Sequence, residues 1–305
     1  METSVALSGV VTENPELGLE IGTTLHFEGK RFMMSAEVAH ESIVNADAFD
    51  GAVLAVAFPT PSYNNVLGSA IMVAPGIAIT AAHVMDECMD EVMSGRFGAM
   101  CLGLDMDRLD IWRIKHVTLG PSGRSDLAVL SLELSSRLPD DLAFSFASIS
   151  TRTPAVGERL KVLGFRQTDD PEAPSAVRNM AVRLFLSTGT VTQHFPHGRG
   201  RDLGPCVEID CHTTGGMSGG PVFDEQGMLL GILSKGLDGG PSWMSLIWPA
   251  LICSVTNGWP LAVMAGARAL LDLDPRMISI DGRDALRSVA TEAEGIGRVE
   301  YVPWS

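Results

Sequence analysis

Basic residues are scarce in this 305-residue chain: 22 Lys and Arg stand against 37 Asp and Glu, a formal net charge of −15. That balance opposes binding to nucleic acid or to an anionic membrane. Aromatic residues make up 6% of the chain and are not interleaved with any basic stripe. No uninterrupted apolar run approaches the roughly 20 residues that span a bilayer; the run around Trp259–Leu273 is broken by Arg268. The five cysteines, Cys88, Cys101, Cys206, Cys211 and Cys253, are odd in number and scattered, a poor disulfide framework. The Cys211-His212 pair lacks a second ligand pair at matching spacing, so neither a metal nor another cofactor is expected. Met1-Glu2-Thr3-Ser4 has no basic-then-apolar leader layout. These features lead to the expectation of a cytoplasmic chain in a reducing compartment, the alternative being an exported form with its signal removed, and with neither nucleic acid nor membrane as partner. There is no internal repeat and little helical periodicity before about residue 260.

What is present points to a folded β protein. Hydrophobic residues make up 46% of the chain and charged residues 19%, which suits a globule with a real core. Short apolar runs alternate with Gly, Pro, Asn and Asp turns, the pattern of all-β barrels or sandwiches.

Three segments carry candidate chemistry. Gly215-Gly216-Met217-Ser218-Gly219-Gly220-Pro221 surrounds one serine with four glycines and a proline. Such a loop packs poorly, but it lets backbone N–H groups come close to a ligand, as a serine nucleophile with an oxyanion hole requires. Its simpler reading is a glycine-rich turn. Thr80-Ala81-Ala82-His83-Val84 follows an apolar strand, a Pro75-Gly76 turn and a second apolar strand. Small residues at 81 and 82 let a histidine leave the strand end uncrowded. In Arg124-Ser125-Asp126-Leu127-Ala128-Val129-Leu130-Ser131-Leu132 an acid heads an apolar β run, where it must find hydrogen-bond partners such as an imidazole N–H. Taken singly, a structural histidine and a strand-capping aspartate are the simpler readings of His83 and Asp126. A hairpin signature follows: Val222–Asp224, a polar turn closed by Gly227, and Met228–Ser234.

The T-A-A-H, S-D-L-A-V-L and G-x-S-G-G-P motifs, in this order and spacing, resemble the chymotrypsin/trypsin-like serine peptidase family, in particular bacterial trypsin-like and HtrA-type catalytic domains. The resemblance covers about residues 50–255. It implies an all-β fold of two six-stranded Greek-key barrels, the first over 49–140 and the second over 141–255. An N-terminal extension would occupy 1–48 and a partly helical C-terminal extension 256–305. Helices are expected over Ala36–Ala46, Leu261–Leu273 and Asp284–Glu294, a strand or two over Leu17–Phe27, and an exposed loop over Thr168–Ala176. About 50 residues are too few for the PDZ domain that HtrA enzymes carry. By resemblance, His83, Asp126 and Ser218 form the catalytic triad, and the N–H groups of Gly216 and Ser218 the oxyanion hole. His212 and Thr213 would lie at the S1 pocket, and Ser234, Lys235 and Gly236 along the cleft edge, with Ser234 also orienting Asp126. The function implied is an intracellular serine endopeptidase acting on a protein or peptide substrate, of restricted specificity and controlled by a partner protein or by loop ordering.

Two departures sharpen this. Trypsin-like zymogens carry an aspartate before the serine that pairs with a freed N-terminus; here the position is Met217, so activation should not need clipping. No aspartate stands at 212 or 213, which argues against Arg or Lys at P1 and for a small or uncharged residue. Thr213 fits the pocket of glutamate-selective relatives, but the matching strand position holds Leu233. The histidines at 194 and 197 read as solvated. The alternative is a catalytically silent peptidase fold that serves as a binding or scaffold module, although all three triad candidates are present. An α/β-hydrolase would place its nucleophile before its acid and histidine, which this chain does not.

Overall fold

The protein is described by a computed structural model covering residues 5–10, 22–34, 41–59, 64–94, 98–105, 108–120, 125–168, 182–200, 204–237, 240–256, 258–264, 266–290 and 297–301. Strands dominate it. In the N-terminal extension β1 (Val5–Val10) pairs with β2 (Thr24–Lys30), and β3 (Ser42–Val44) follows. The next six strands are β4 (Val53–Pro59), β5 (Asn64–Ala74), β6 (Ile77–Thr80), β7 (Met100–Asp105), β8 (Arg108–Leu119) and β9 (Ala128–Leu134). They close into an antiparallel barrel in the order β4-β5-β6-β9-β8-β7. A one-turn helix, α1 (Met89–Met93), lies between β6 and β7.

The segment linking the barrels carries β10 (Ala143–Ala147) and β11 (Ile149–Ser150). Then come β12 (Arg159–Gln167), β13 (Val182–Phe195), β14 (Cys206–Asp210), β15 (Pro221–Phe223), β16 (Leu229–Gly236) and β17 (Ser242–Leu246). Their pairing runs β15-β12-β13-β14-β17-β16, and β15 also pairs with β16, so these six strands form a second closed antiparallel barrel. The two-barrel, chymotrypsin-like architecture expected from the motifs is the one observed.

The local reasons are legible in the residues. Along β8 the inward positions Asp110, Trp112 and Ile114 are buried while their neighbours are not, the period-two signature of a strand with one wet face. Strands β6 and β9 bury nearly every residue, and both read as continuous apolar runs. Gly76, with φ of +61°, makes the tight turn between β5 and β6, and a Cβ there would overlap the backbone of Trp259. In the β15–β16 hairpin, Asp224 accepts the N–H groups of Gln226 and Met228 at 2.9 Å, and Gly227 supplies the positive φ. Each large apolar side chain buried this way contributes about 1.5–3 kcal/mol.

The extensions brace this frame. Strand β10 lies parallel to β2, and β3 lies antiparallel to β13. Phe27 of β2, Trp112 of β8, Phe144 of β10 and Trp259 of the C-terminal extension form one aromatic cluster, with ring centroids 5.2–6.5 Å apart.

The helical expectations need correction. Over Leu261–Leu273 the described residues hold two short helical pieces, α2 (Leu261–Met264) and a 3₁₀ turn (Leu270–Asp272), separated by Gly266, with φ of +91°, and by β19 (Ala267–Ala269), which pairs with β18 (Ser254–Thr256). A short β20 (Ile280–Asp281) joins the second barrel's sheet through β11. Where a helix was expected from Asp284, β21 (Leu286–Ala290) pairs with β22 (Gly297–Tyr301), and residues 291–296 lie outside the described residues. Tertiary pairing overrode local propensity. In Ala36–Ala46 residues 36–40 lie outside the described residues, and the remainder holds β3 rather than a helix. The strand expected from Leu17 is described only from residue 22 on, and of the loop expected over Thr168–Ala176 only Thr168 is described.

Candidate active site

Strand β6 delivers the chain to Ala81, which is fully buried, and a 3₁₀ turn (Ala82–Met85) carries His83. Asp126 lies two residues before β9, the strand paired with β6, so the two side chains meet where neighbouring strands end. The Asp126 carboxylate accepts from His83 twice over. Its Oδ1 takes the backbone N–H at 3.0 Å, while ring Nδ1 lies 2.8 Å from Oδ2 and 3.1 Å from Oδ1. Asp126 is buried, while a third of the His83 side chain remains open to solvent. Ser234 Oγ, from the second barrel, donates to Asp126 Oδ2. Burial pushes the Asp126 carboxyl up. The His83 ring's hydrogen bond and charge, the Ser234 hydroxyl and the His83 backbone N–H outweigh that and hold it at about 2.

Ser218 sits in a loop stitched to the first barrel. Its carbonyl accepts the Ser69 N–H at 2.8 Å, and the Ser69 carbonyl accepts the Thr80 hydroxyl at 2.6 Å. Ser69 Oγ in turn accepts the Phe165 N–H of β12 at 2.7 Å, joining the barrels beside the loop. The loop's glycines are not interchangeable. A Cβ on Gly220 would lie 1.8 Å from the Leu163 carbonyl oxygen, and one on Gly219 (φ +81°) 2.2 Å from that of Ser69. Met217 is fully buried in the second barrel's core. Ser218 Oγ donates to the Ser234 carbonyl at 3.2 Å. Ser234 thus touches both Ser218 and Asp126, and a chain of polar contacts runs Ser218–Ser234–Asp126–His83. Among the described residues no hydrogen bond joins Ser218 to the His83 ring, and neither Gly216 N–H nor Ser218 N–H has an acceptor.

The remaining expected residues divide. Ser234 lies where the β16–β17 register slips between Leu233 and Lys235, a bulge that re-aims one side chain. Lys235 and Gly236 beyond it are exposed. Thr213 is buried, and its hydroxyl is 2.6 Å from that of Ser242, which donates to the Cys211 carbonyl at 2.8 Å. A Cβ on Gly236 would lie 2.1 Å from Thr213 Oγ1, so the two stand wall to wall. His212 is exposed, and its carbonyl, not its ring, is engaged, by Ser187 Oγ at 2.6 Å. His194 is not fully solvated: its Nε2 donates to the Pro154 carbonyl at 2.7 Å; His197 is exposed.

A cavity of about 950 Å³ lies elsewhere, against β2, β10 and β8, and none of the residues just described lines it. Its charges are paired, Lys30 with Asp50 and Arg108 with Asp105. A contact that sequence reasoning missed is Glu41, whose carboxylate reaches Thr214 beside the serine loop. Nothing local in the sequence marks it.

The span that holds His83, Asp126 and Ser218 falls within the comparison by family. The family described as trypsin-like peptidase domain matches residues 68–232, more than half of the chain and the whole span from His83 to Ser218. The chain belongs to this family. Comparison with curated proteins finds no match. Among solved structures, the trypsin-like domain is similar to an inactive form of Rv3671c from M. tuberculosis H37Rv (15% identity, 66% of this chain, 84% of that one, TM-score 0.40). It is also similar to the MamO protease domain from Magnetospirillum magneticum (18%, 65% and 92%, TM-score 0.45). A third neighbour is the HtrA-type protease AlgW with a decapeptide (18%, 66% and 63%, TM-score 0.43). Among the described residues no helix of this trypsin-like protein is long and apolar enough to cross a membrane.

Proposed function

We propose that this trypsin-like domain is a serine endopeptidase that hydrolyses peptide bonds in protein substrates through an acyl-enzyme. Ser218 Oγ attacks the scissile carbonyl while His83 Nε2 takes its proton and then passes it to the leaving amine. Water, deprotonated by the same nitrogen, releases the acid. Asp126 holds the imidazole with Nδ1 as donor and stabilises the imidazolium. The free N–H groups of Gly216 and Ser218 receive the developing oxyanion. For this step the Ser218 hydroxyl must leave the Ser234 carbonyl, which it faces in the structure, and turn to the ring.

The observation that carries the reading is the Asp126 carboxylate, buried and held by the His83 ring, the His83 backbone and Ser234 at once. Holding a buried carboxylate ionised is costly, and orienting a base gives that cost a purpose. The closeness of Gly236 to Thr213 favours a small, uncharged P1 residue, and exposed Lys235 favours an acidic group at a neighbouring subsite. Five buried free thiols suit a reducing compartment, where a restricted cytoplasmic protein target is the expected substrate and a partner or loop ordering the expected control. A fluorophosphonate probe tests the reading. Labelling that Ser218→Ala abolishes supports it, and an unlabelled wild type sinks it. A second reading, a peptidase fold that binds without cleaving, draws on the Ser218 hydroxyl facing the Ser234 carbonyl instead of the ring. Peptide binding with no labelling would favour it.

A further inference from the structure

The N-terminal extension reaches the loop that supplies the oxyanion N–H groups. Glu41 stands one residue before β3, and β3 is fixed at the edge of the second barrel by its pairing with β13, Ser42 opposite Leu186 and Ile43 opposite Phe185. From there the Glu41 carboxylate divides between two partners. Oε1 accepts the Thr214 hydroxyl at 2.8 Å, and Oε2 accepts from Arg166 Nη1 at 2.8 Å. Arg166 lies over the Phe185 ring, 4.6 Å from its centroid, so its position is set by packing as well as by charge. The Glu41 side chain is only 14% exposed. Both partners adjoin the loop. The Thr214 carbonyl accepts the Met217 N–H at 3.3 Å, the bond that closes the turn carrying Gly216. A Cβ at Gly216 would lie 3.3 Å from the Phe165 carbonyl and 3.4 Å from Arg166 Cγ, so the turn rests on that strand.

Met217 anchors the far end of the turn in the second barrel's core, but the middle of the turn has no side chain to hold it. Gly215 and Gly216 have no side chains, Gly216 has φ of +96°, and a Cβ at Gly215 would touch nothing within 4 Å. A glycine pair costs backbone entropy to order, and a charge-assisted hydrogen bond is stronger than a neutral one.

We propose that Glu41 is a positioning residue: through Thr214 and Arg166 it holds the 214–217 turn so that the Gly216 and Ser218 N–H groups converge on one point. The N-terminal extension is then part of the working site, and an event that draws Glu41 away lowers activity without touching the triad. This rests on the peptidase reading for its catalytic consequence, but the tether itself does not.

The test uses the full chain with Glu41→Ala, Glu41→Gln, Thr214→Val and Thr214→Ser. Hydrogen exchange reads the amides of Met217 and Gly220, which are bonded within the loop. Glu41→Ala and Thr214→Val should speed their exchange at least about tenfold. On a peptide substrate kcat should fall about 10–100-fold, less than the loss of a whole oxyanion donor, with KM within about twofold. Inhibition by a peptide boronic acid, which reports the oxyanion site, should weaken in proportion. Thr214→Ser should recover most of what Thr214→Val loses, and Glu41→Gln should fall between wild type and Glu41→Ala. Unchanged loop exchange in folded Glu41→Ala or Thr214→Val overturns the tether, whether or not the chain is active. A change in KM alone overturns its role at the oxyanion site. A wild type that no fluorophosphonate labels removes the peptidase reading, and the exchange measurement still decides the tether. If Glu41→Ala fails to fold, Thr214→Val and Thr214→Ser carry the same comparison.

Discussion

The two barrels build their halves of the site by different means. The first barrel offers an acid and a histidine at the ends of paired strands β6 and β9, tied through backbone and side chain alike. The second barrel offers a serine on a glycine loop whose conformation is held by backbone hydrogen bonds, by Ser69 across the interface and by Glu41 from the extension. The half that holds Asp126 and His83 is built in, while the half that holds Ser218 is assembled from parts distant in the chain. Under the proposed function, control by loop ordering would act on the second barrel.

The largest effects should be blind to this difference. Ser218→Ala and His83→Ala, one from each half, should each lower kcat by about 10⁶-fold, because members of a triad act as a unit. The double variant should be no worse, measured by single-turnover hydrolysis. If the two losses add, the residues do not work together. Asp126→Asn should cost about 10⁴-fold in kcat by favouring the wrong imidazole tautomer, with KM little changed.

The next prediction probes by stability how the second barrel's serine loop is packed. Gly220→Ala forces a Cβ onto the Leu163 carbonyl and should destabilise the fold by about 3 kcal/mol. Gly215→Ala, four residues before Gly219 in the same loop, meets nothing and should lie within about 0.5 kcal/mol of wild type. Urea midpoints of the two variants check this; equal values would mean the loop packs otherwise.

How far each part was legible in the sequence follows from where its contacts lie. The β5–β6 turn at Pro75-Gly76, the β15–β16 hairpin and the acid at the head of β9 were readable because the residues that shape them are neighbours in the chain. The C-terminal extension is partly helical as expected, but its helices are shorter than local propensity suggests: its strands exist because β19 finds β18 and β22 finds β21, and local propensity says nothing of a partner. The Ser234 contact with Asp126 was anticipated only through family resemblance, since a bulge in β16 creates it. Glu41 was invisible, since it stands 173 residues from Thr214 and lies in no motif. The family resemblance puts both His212 and Thr213 at the S1 pocket; Thr213 is buried and His212 exposed, a difference that burial alone reveals.

The smallest predicted effect concerns the one contact that joins the halves through the acid. With its carboxyl held at about 2, below the ordinary value near 4, Asp126 contributes stability that is fully present above pH ~4 and lost as pH falls toward 2. The folded form binds the proton more weakly than the unfolded form, so acid favours unfolding, by roughly 2 kcal/mol over that window. Comparing wild type with Asp126→Asn from pH 5 to pH 2 isolates this carboxyl from the others that titrate there. Wild type should lose the additional stability, and parallel curves would show that the carboxyl is not held low. Ser234→Ala removes one donor to Oδ2 while leaving both His83 bonds, so its acid loss should begin at the same pH, be smaller and be complete at a higher pH. Should Ser234→Ala instead track wild type, the second barrel does not help hold the acid, and the first barrel's half of the site is self-sufficient.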